Sequence, residues 1–168
     1  MYQISVFVHV ISAMLWVGGM LFLGLVVVPI TRDMPAEQRS ALFGAAGRRF
    51  RSVGWVCIGL LLVTGWINLT YRGVTVQSLF SGQAFVGELG GVLAIKLALV
   101  AVMLVISVVH DFFLGPRSVQ AIERGTATPE QIAAFRRRAS LVGRLNTLLG
   151  LMAVLLGVML VRGVPGLI

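Results

Sequence analysis

Four long apolar segments dominate this sequence and restrict what it can fold into. They cover residues 4–30, 53–71, 89–114 and 141–161, and a helix needs about 20 apolar residues to cross the hydrocarbon core of a bilayer. The segments are continuous rather than alternating, which favours helices over barrel strands. With 58% hydrophobic and 12% charged residues, the chain has too little polar surface for a soluble globule. The sequence predicts an all-α fold: an integral membrane four-helix bundle, with residues 1–168 forming a single transmembrane domain in the lipid bilayer.

The arginines predict the orientation of this bundle. Eleven of them lie in or beside the loops 31–52 and 115–140, whereas only Arg72 and Arg162 lie on the opposite side. The positive-inside rule then places both loops in the cytoplasm and both termini outside, that is, in the periplasm for a bacterial-type inner membrane. This topology and the attraction of arginine to anionic lipid headgroups account for the net charge of +8. We therefore expect no nucleic-acid partner.

A weak internal repeat suggests that the chain consists of two related hairpins. A shift of 87 residues places Pro29 on Pro116 and His9 on Lys96. Both hairpins would cross the membrane in the same direction, so they would be related by an axis along the membrane normal.

Three titratable side chains lie well inside the predicted spans: His9, Lys96 and His110. Each costs roughly 2.5–3.5 kcal/mol in hydrocarbon on insertion scales, so such residues usually face the bundle interior and have a partner. His9 and Lys96 share a predicted depth near the outer ends of spans one and three. Helical spacing adds further residues to the same two faces: Trp16, Met20 and Met103. We expect these faces to meet across a central cleft.

Each of these residues also has a simpler interpretation. His9 alone is equally compatible with a hydrogen-bonded packing residue, and Lys96 with an amine that extends along its stem towards the headgroups. A second, inner polar cluster is predicted from residues of similar depth near the cytoplasmic surface: His110, Asp111, Arg144 and Asn146. For this cluster a solvated, structural role is favoured.

Three stretches of sequence carry a resemblance to known families. They are HVISAMLWVGGMLF from His9, GVLAIKLALVAVMLVISVVH around Lys96, and VGRLN with Arg144 and Asn146. Together they resemble the HemJ-type protoporphyrinogen oxidases and the related copper-resistance D (CopD) membrane domains. The likeness to HemJ implies a four-helix membrane protein associated with haem b, and the likeness to CopD implies a link to copper uptake.

The chain also departs from the HemJ pattern at two places. It has Gly24 and Leu25 where HemJ proteins have a Pro-Arg pair, and Thr147 and Leu148 where they have Glu-Pro. The cofactor site of that family is therefore a better expectation for this chain than its oxidase chemistry.

Three functional hypotheses follow. In the first, the chain is a haem b-binding redox protein, for electron transfer or HemJ-like oxidase chemistry. His9 is then the metal ligand, and Lys96 either neutralises a propionate or approaches the other axial position. Trp16, Met20 and Met103 complete the cofactor-binding set. A redox partner or quinone and self-association are compatible with this hypothesis.

In the second hypothesis, the chain is a CopD-like copper transport or copper-binding protein. Cuprous copper prefers thioether and imidazole ligands, but the sequence has no paired histidines and no Met-x-x-Met run. The third hypothesis is a structural membrane subunit. The sequence favours haem over copper.

Overall fold

The computed structural model describes residues 1–114 and 128–163, and these form helices joined by short connections. The long helices are α1 (Tyr2–Phe22), α2 (Ala36–Thr70), α4 (Gly87–Val108) and α5 (Pro129–Arg162). Between α2 and α4 lie the short helix α3 (Val76–Phe80) and a 3-10 turn, Gln83–Phe85.

Four segments in the described part of the chain are long and apolar enough to cross a membrane. They are Tyr2–Ile30, Ala41–Thr70, Gly87–Phe113 and Glu130–Arg162. Most of their large apolar side chains are exposed, as expected where lipid rather than water surrounds the helices. The predicted all-α membrane fold is confirmed.

The chain divides into two compact units, Met1–Val86 and Gly87–Ile168. The first unit is an antiparallel hairpin of α1 and α2, and the second is an antiparallel hairpin of α4 and α5. The division agrees with the repeat interval of 87 residues predicted from the sequence.

A π-helical segment follows the first long helix of each hairpin, and in the first hairpin one α-helical turn, Val28–Ile30, comes after it. The π-helical segments are Leu23–Val27 after α1 and Val109–Leu114 after α4, and a shift of 87 maps residues 23–27 onto residues 110–114. In the first hairpin Pro29 explains the wider turns, because its ring clashes with the carbonyl four residues earlier and it lacks an N–H. Pro116 stands at the same interval in the sequence but lies outside the described residues.

The second helix of each hairpin begins well before the predicted span. The side chain of Thr128 caps α5 and forms a capping box with Gln131, as the sequence TPEQ predicts. The helix α2 begins after Pro35 without a side-chain cap. With 35 residues in α2 and 34 in α5, each helix is about 50 Å long, against roughly 30 Å of hydrocarbon. Most of the arginine-bearing part of loop 31–52 is therefore helical, as is the end of loop 115–140 from Pro129 onwards.

Close packing in the first hairpin depends on glycines that lie under rings of the opposite helix. The pairs are His9 with Gly65, Trp16 with Gly54, and Phe50 with Gly19. A glycine has no Cβ, so the opposite ring can approach the helix backbone. The seam between α1 and α2 is therefore set by where these small residues fall.

Candidate functional site

His9 lies at the seam between α1 and α2 and is half-buried. Its Nδ1 is 2.9 Å from the hydroxyl oxygen of Thr64. The edge of the ring lies on Gly65, where an added Cβ would be 3.4 Å from Cε1. The imidazole is therefore held by a neighbouring helix 55 residues away in the chain.

The partners of Thr64 determine which nitrogen of His9 carries the proton. The Thr64 hydroxyl has a single hydrogen, and it donates to the carbonyl of Leu60 over 2.6 Å. The same oxygen must then accept from Nδ1–H of His9. The neutral imidazole consequently has its lone pair on Nε2, the arrangement in which histidine coordinates a metal through Nε2 while a second residue holds Nδ1–H.

Two further polar residues belong to this region, and the sequence reasoning missed them together with Thr64. Ser5 is buried, and its hydroxyl donates to the backbone carbonyl of Thr64 over 3.4 Å. Asn68 lies one turn after Thr64, and its Oδ1 is buried with no hydrogen-bond partner among the described residues. A buried acceptor without a hydrogen-bond partner lowers the free energy of unfolding by about 1–3 kcal/mol. The sequence does offer a signal for this site, because Thr64 and Asn68 are polar residues four apart in a mostly apolar span.

The other predicted residues of span one extend along the same helix. The ring of Trp16 lies against α2, where a Cβ on Gly54 would be 3.5 Å from its Cδ1 and Nε1. Met20 lies a further turn along and is half-buried. The structure thus places His9 and Trp16 on one seam, two turns apart.

Lys96 has a setting in the second hairpin that parallels that of His9 in the first. Its Nζ lies against α5, where a Cβ on Gly157 would be only 2.8 Å away. At positions related by the shift of 87, a titratable side chain therefore lies on a glycine of its own hairpin's second helix. The predicted meeting of the His9 and Lys96 faces across a cleft stays a prediction.

Met103, predicted to line the cofactor, is 1% exposed. Two contacts define the antiparallel register of α4 and α5: Lys96 with Gly157, and Ser107 with Asn146. In this register the residue opposite Met103 is Gly150.

Three of the four residues predicted for the inner cluster lie in two hydrogen-bonded pairs about one turn apart. The Nδ1 of His110 lies 2.9 Å from Oδ1 of Asp111, within the π-helical segment. Asn146 donates from Nδ2 to the hydroxyl of Ser107 over 2.9 Å, and both residues are buried. Arg144 is exposed. Ser107 was missed because a lone serine in an apolar span carries no distinct signal.

The described residues contain no group of three His, Cys, Asp or Glu side chains that could hold a metal ion. Cys57 is buried in α2, about two turns from Thr64. A copper site would need several such donors to converge. By contrast, haem iron needs only an axial ligand from the protein, since the porphyrin supplies the other donors.

Comparison with known proteins places the chain in a family. The family model described as Copper resistance protein D matches residues 44–162. The chain belongs to the copper resistance protein D family. An uncharacterized protein of Aquifex aeolicus (strain VF5) is 34% identical over 159 residues, which are 94% of each chain. No solved structure matches.

Family membership confirms the CopD side of the resemblance and agrees with a multi-pass membrane protein. The match includes Lys96, His110 and Asn146, but it begins after α1 and so does not include His9. The HemJ side of the resemblance stays a prediction.

Proposed function

We propose that this chain is a redox protein of the membrane that holds haem b through Nε2 of His9. One observation carries the proposal: Nδ1 of His9 lies 2.9 Å from the Thr64 hydroxyl, whose own hydrogen donates to the carbonyl of Leu60. This pairing assigns the lone pair of the neutral imidazole to Nε2. Bound haem would supply one-electron redox chemistry. The contribution of the chain is to orient the imidazole, raise its basicity and surround it with apolar helices.

Other residues of the chain have supporting roles in this proposal. The amine of Lys96 would neutralise an acidic group of the cofactor, and Trp16 would pack against its ring system. The buried Oδ1 of Asn68, one turn from Thr64, would accept a hydrogen bond from a donor in this region. The arginine counts support cytoplasmic arginine-rich ends and periplasmic termini in a bacterial-type inner membrane.

Copper is the second candidate, and membership of the copper resistance protein D family favours it. Copper would here be cargo, passed along donors that include the imidazole of His9. The described residues contain no group of three His, Cys, Asp or Glu side chains that could hold copper, which is why we place copper after haem.

The test is an absorption spectrum with metal analysis on the full chain, purified in detergent from haem-replete cells. We expect a Soret band that shifts on reduction and about one iron per chain. His9→Ala should lose the haem, whereas His110→Ala, the same substitution in the second hairpin, should keep it. Lys96→Met should shift the spectrum or the potential without emptying the site if its partner is a propionate.

A colourless protein with stoichiometric copper would refute the haem proposal and favour copper as the bound metal. Full haem occupancy with an unchanged spectrum in His9→Ala would remove His9 as the ligand and leave it as a packing residue.

A further inference from the structure

The second hairpin has a small apolar pocket beside His110. Its lining comes from α4, the π-helical segment and α5: Val105, Ile106, Val109, His110 and Val142. Its volume is about 300 Å³, and a cavity of about 150 Å³ suffices for benzene. The pocket therefore has room for one substituted six-membered ring.

We propose that this pocket binds the head ring of a lipid-soluble hydroquinone, with a ring hydroxyl donating to His110. Four aliphatic walls suit the ring and its apolar tail, and a single polar side chain suits a ring oxygen. His110 lies near the end of the span Gly87–Phe113, so the ring oxygen would lie near the membrane interface while the tail stays in the hydrocarbon.

The polarity of the site distinguishes the reduced ligand from the oxidised one. The carboxylate of Asp111 can only accept, so at 2.9 Å it takes the Nδ1–H of His110. Nε2 of the neutral ring then accepts and does not donate. A hydroquinone offers a hydroxyl donor to this nitrogen, whereas a quinone offers only a carbonyl acceptor. The pocket should therefore prefer the reduced form.

The local backbone supports a binding role for this segment. His110 and Asp111 lie in the π-helical segment Val109–Leu114, and single π-helical turns within α-helices occur frequently at functional sites. Asn146, one turn further into the span, keeps a buried Oδ1 with no hydrogen-bond partner among the described residues. Binding of the hydroquinone does not depend on His9, but its use as an electron donor rests on the proposed function.

The test uses the full chain in quinone-free lipid nanodiscs and measures equilibrium binding of decylubiquinol and decylubiquinone. One hydrogen bond adds a modest net contribution to binding, so the parent should bind the quinol roughly two- to tenfold more tightly. His110→Leu should abolish this preference. Val142→Trp fills the pocket and should abolish binding, whereas Val158→Trp, the matched change at an exposed position of α5, should leave binding intact.

Equal affinity for both probes in the parent, or unchanged binding in Val142→Trp, would overturn the proposal. Should Val142→Trp fail to fold, the loss of preference in His110→Leu still decides the question. The haem proposal is judged separately by the spectra of the parent and His9→Ala. A colourless parent that prefers the quinol would refute the haem proposal and support the hydroquinone site. A haem-loaded parent without this preference would support the haem proposal and refute the hydroquinone site.

Discussion

Replacing Thr64 by valine tests whether the Thr64 hydroxyl orients the His9 ring and fixes its tautomer for metal coordination. Valine has nearly the shape of threonine but no hydroxyl, so it removes the 2.9 Å bond to Nδ1 and leaves the ring position over Gly65 unchanged. Hydrogen bonds between membrane helices average about 0.6 kcal/mol and reach about 1.7. We therefore expect only a modest loss of hairpin stability.

The effect on the cofactor should be larger than the effect on stability. Loss of a residue that orients a ligand typically costs 10- to 100-fold in metal affinity, which is about 1.4–2.8 kcal/mol. In Thr64→Val the proton of His9 can move from Nδ1 to Nε2. It then has to leave Nε2 again before that nitrogen can coordinate the metal. Affinity for haem should fall by this factor, while the number of sites stays the same.

The assay is a haem titration of the cofactor-free protein, with nitrogen-15 NMR of labelled histidine to read the tautomer. Thr64→Ser keeps a hydroxyl and should restore most of the affinity. Thr70→Val is the matched control, because the Thr70 hydroxyl donates to a carbonyl of its own helix, that of Ile67. Parental affinity and an unchanged tautomer in Thr64→Val would show that Thr64 does not position His9.

Three further substitutions test the packing and the helix ends. Gly19→Ala places a Cβ on the ring of the opposite helix and should destabilise the first hairpin by about 1–3 kcal/mol, whereas Gly18→Ala, with open space around it, should gain up to about 1 kcal/mol; thermal unfolding in detergent compares them. Asn146→Leu removes a buried acceptor along with one hydrogen bond, so its unfolding free energy should change by less than about 1 kcal/mol, and a large loss would indicate that Oδ1 has a partner. Thr128→Ala removes the cap of α5 and should cost about 1 kcal/mol, seen as faster hydrogen exchange in the first turn only.

Local features of the sequence were sufficient to predict the four spans and the repeat. Span length, the cap at Thr128 and the shift that relates His9 to Lys96 depend on neighbouring residues or on composition. The start of α2 was harder to predict, because arginine is a good helix former and polarity alone does not end a helix. The apolar pattern marks only the part of a helix that lies in lipid. It ends at the membrane interface, although the backbone hydrogen bonds of the helix continue beyond it.

By itself the sequence predicted that the chain is a membrane protein, where its four apolar spans lie and which of them carry titratable groups. Only the tertiary structure decided the partners: Thr64 for His9, Gly157 for the amine of Lys96, and Ser107 for Asn146. These contacts depend on the register between antiparallel helices. Because lipid is as apolar as the helix surface, hydropathy does not specify that register. It is set by where glycines allow close approach and where two polar groups can meet, and both conditions involve residues far apart in the chain.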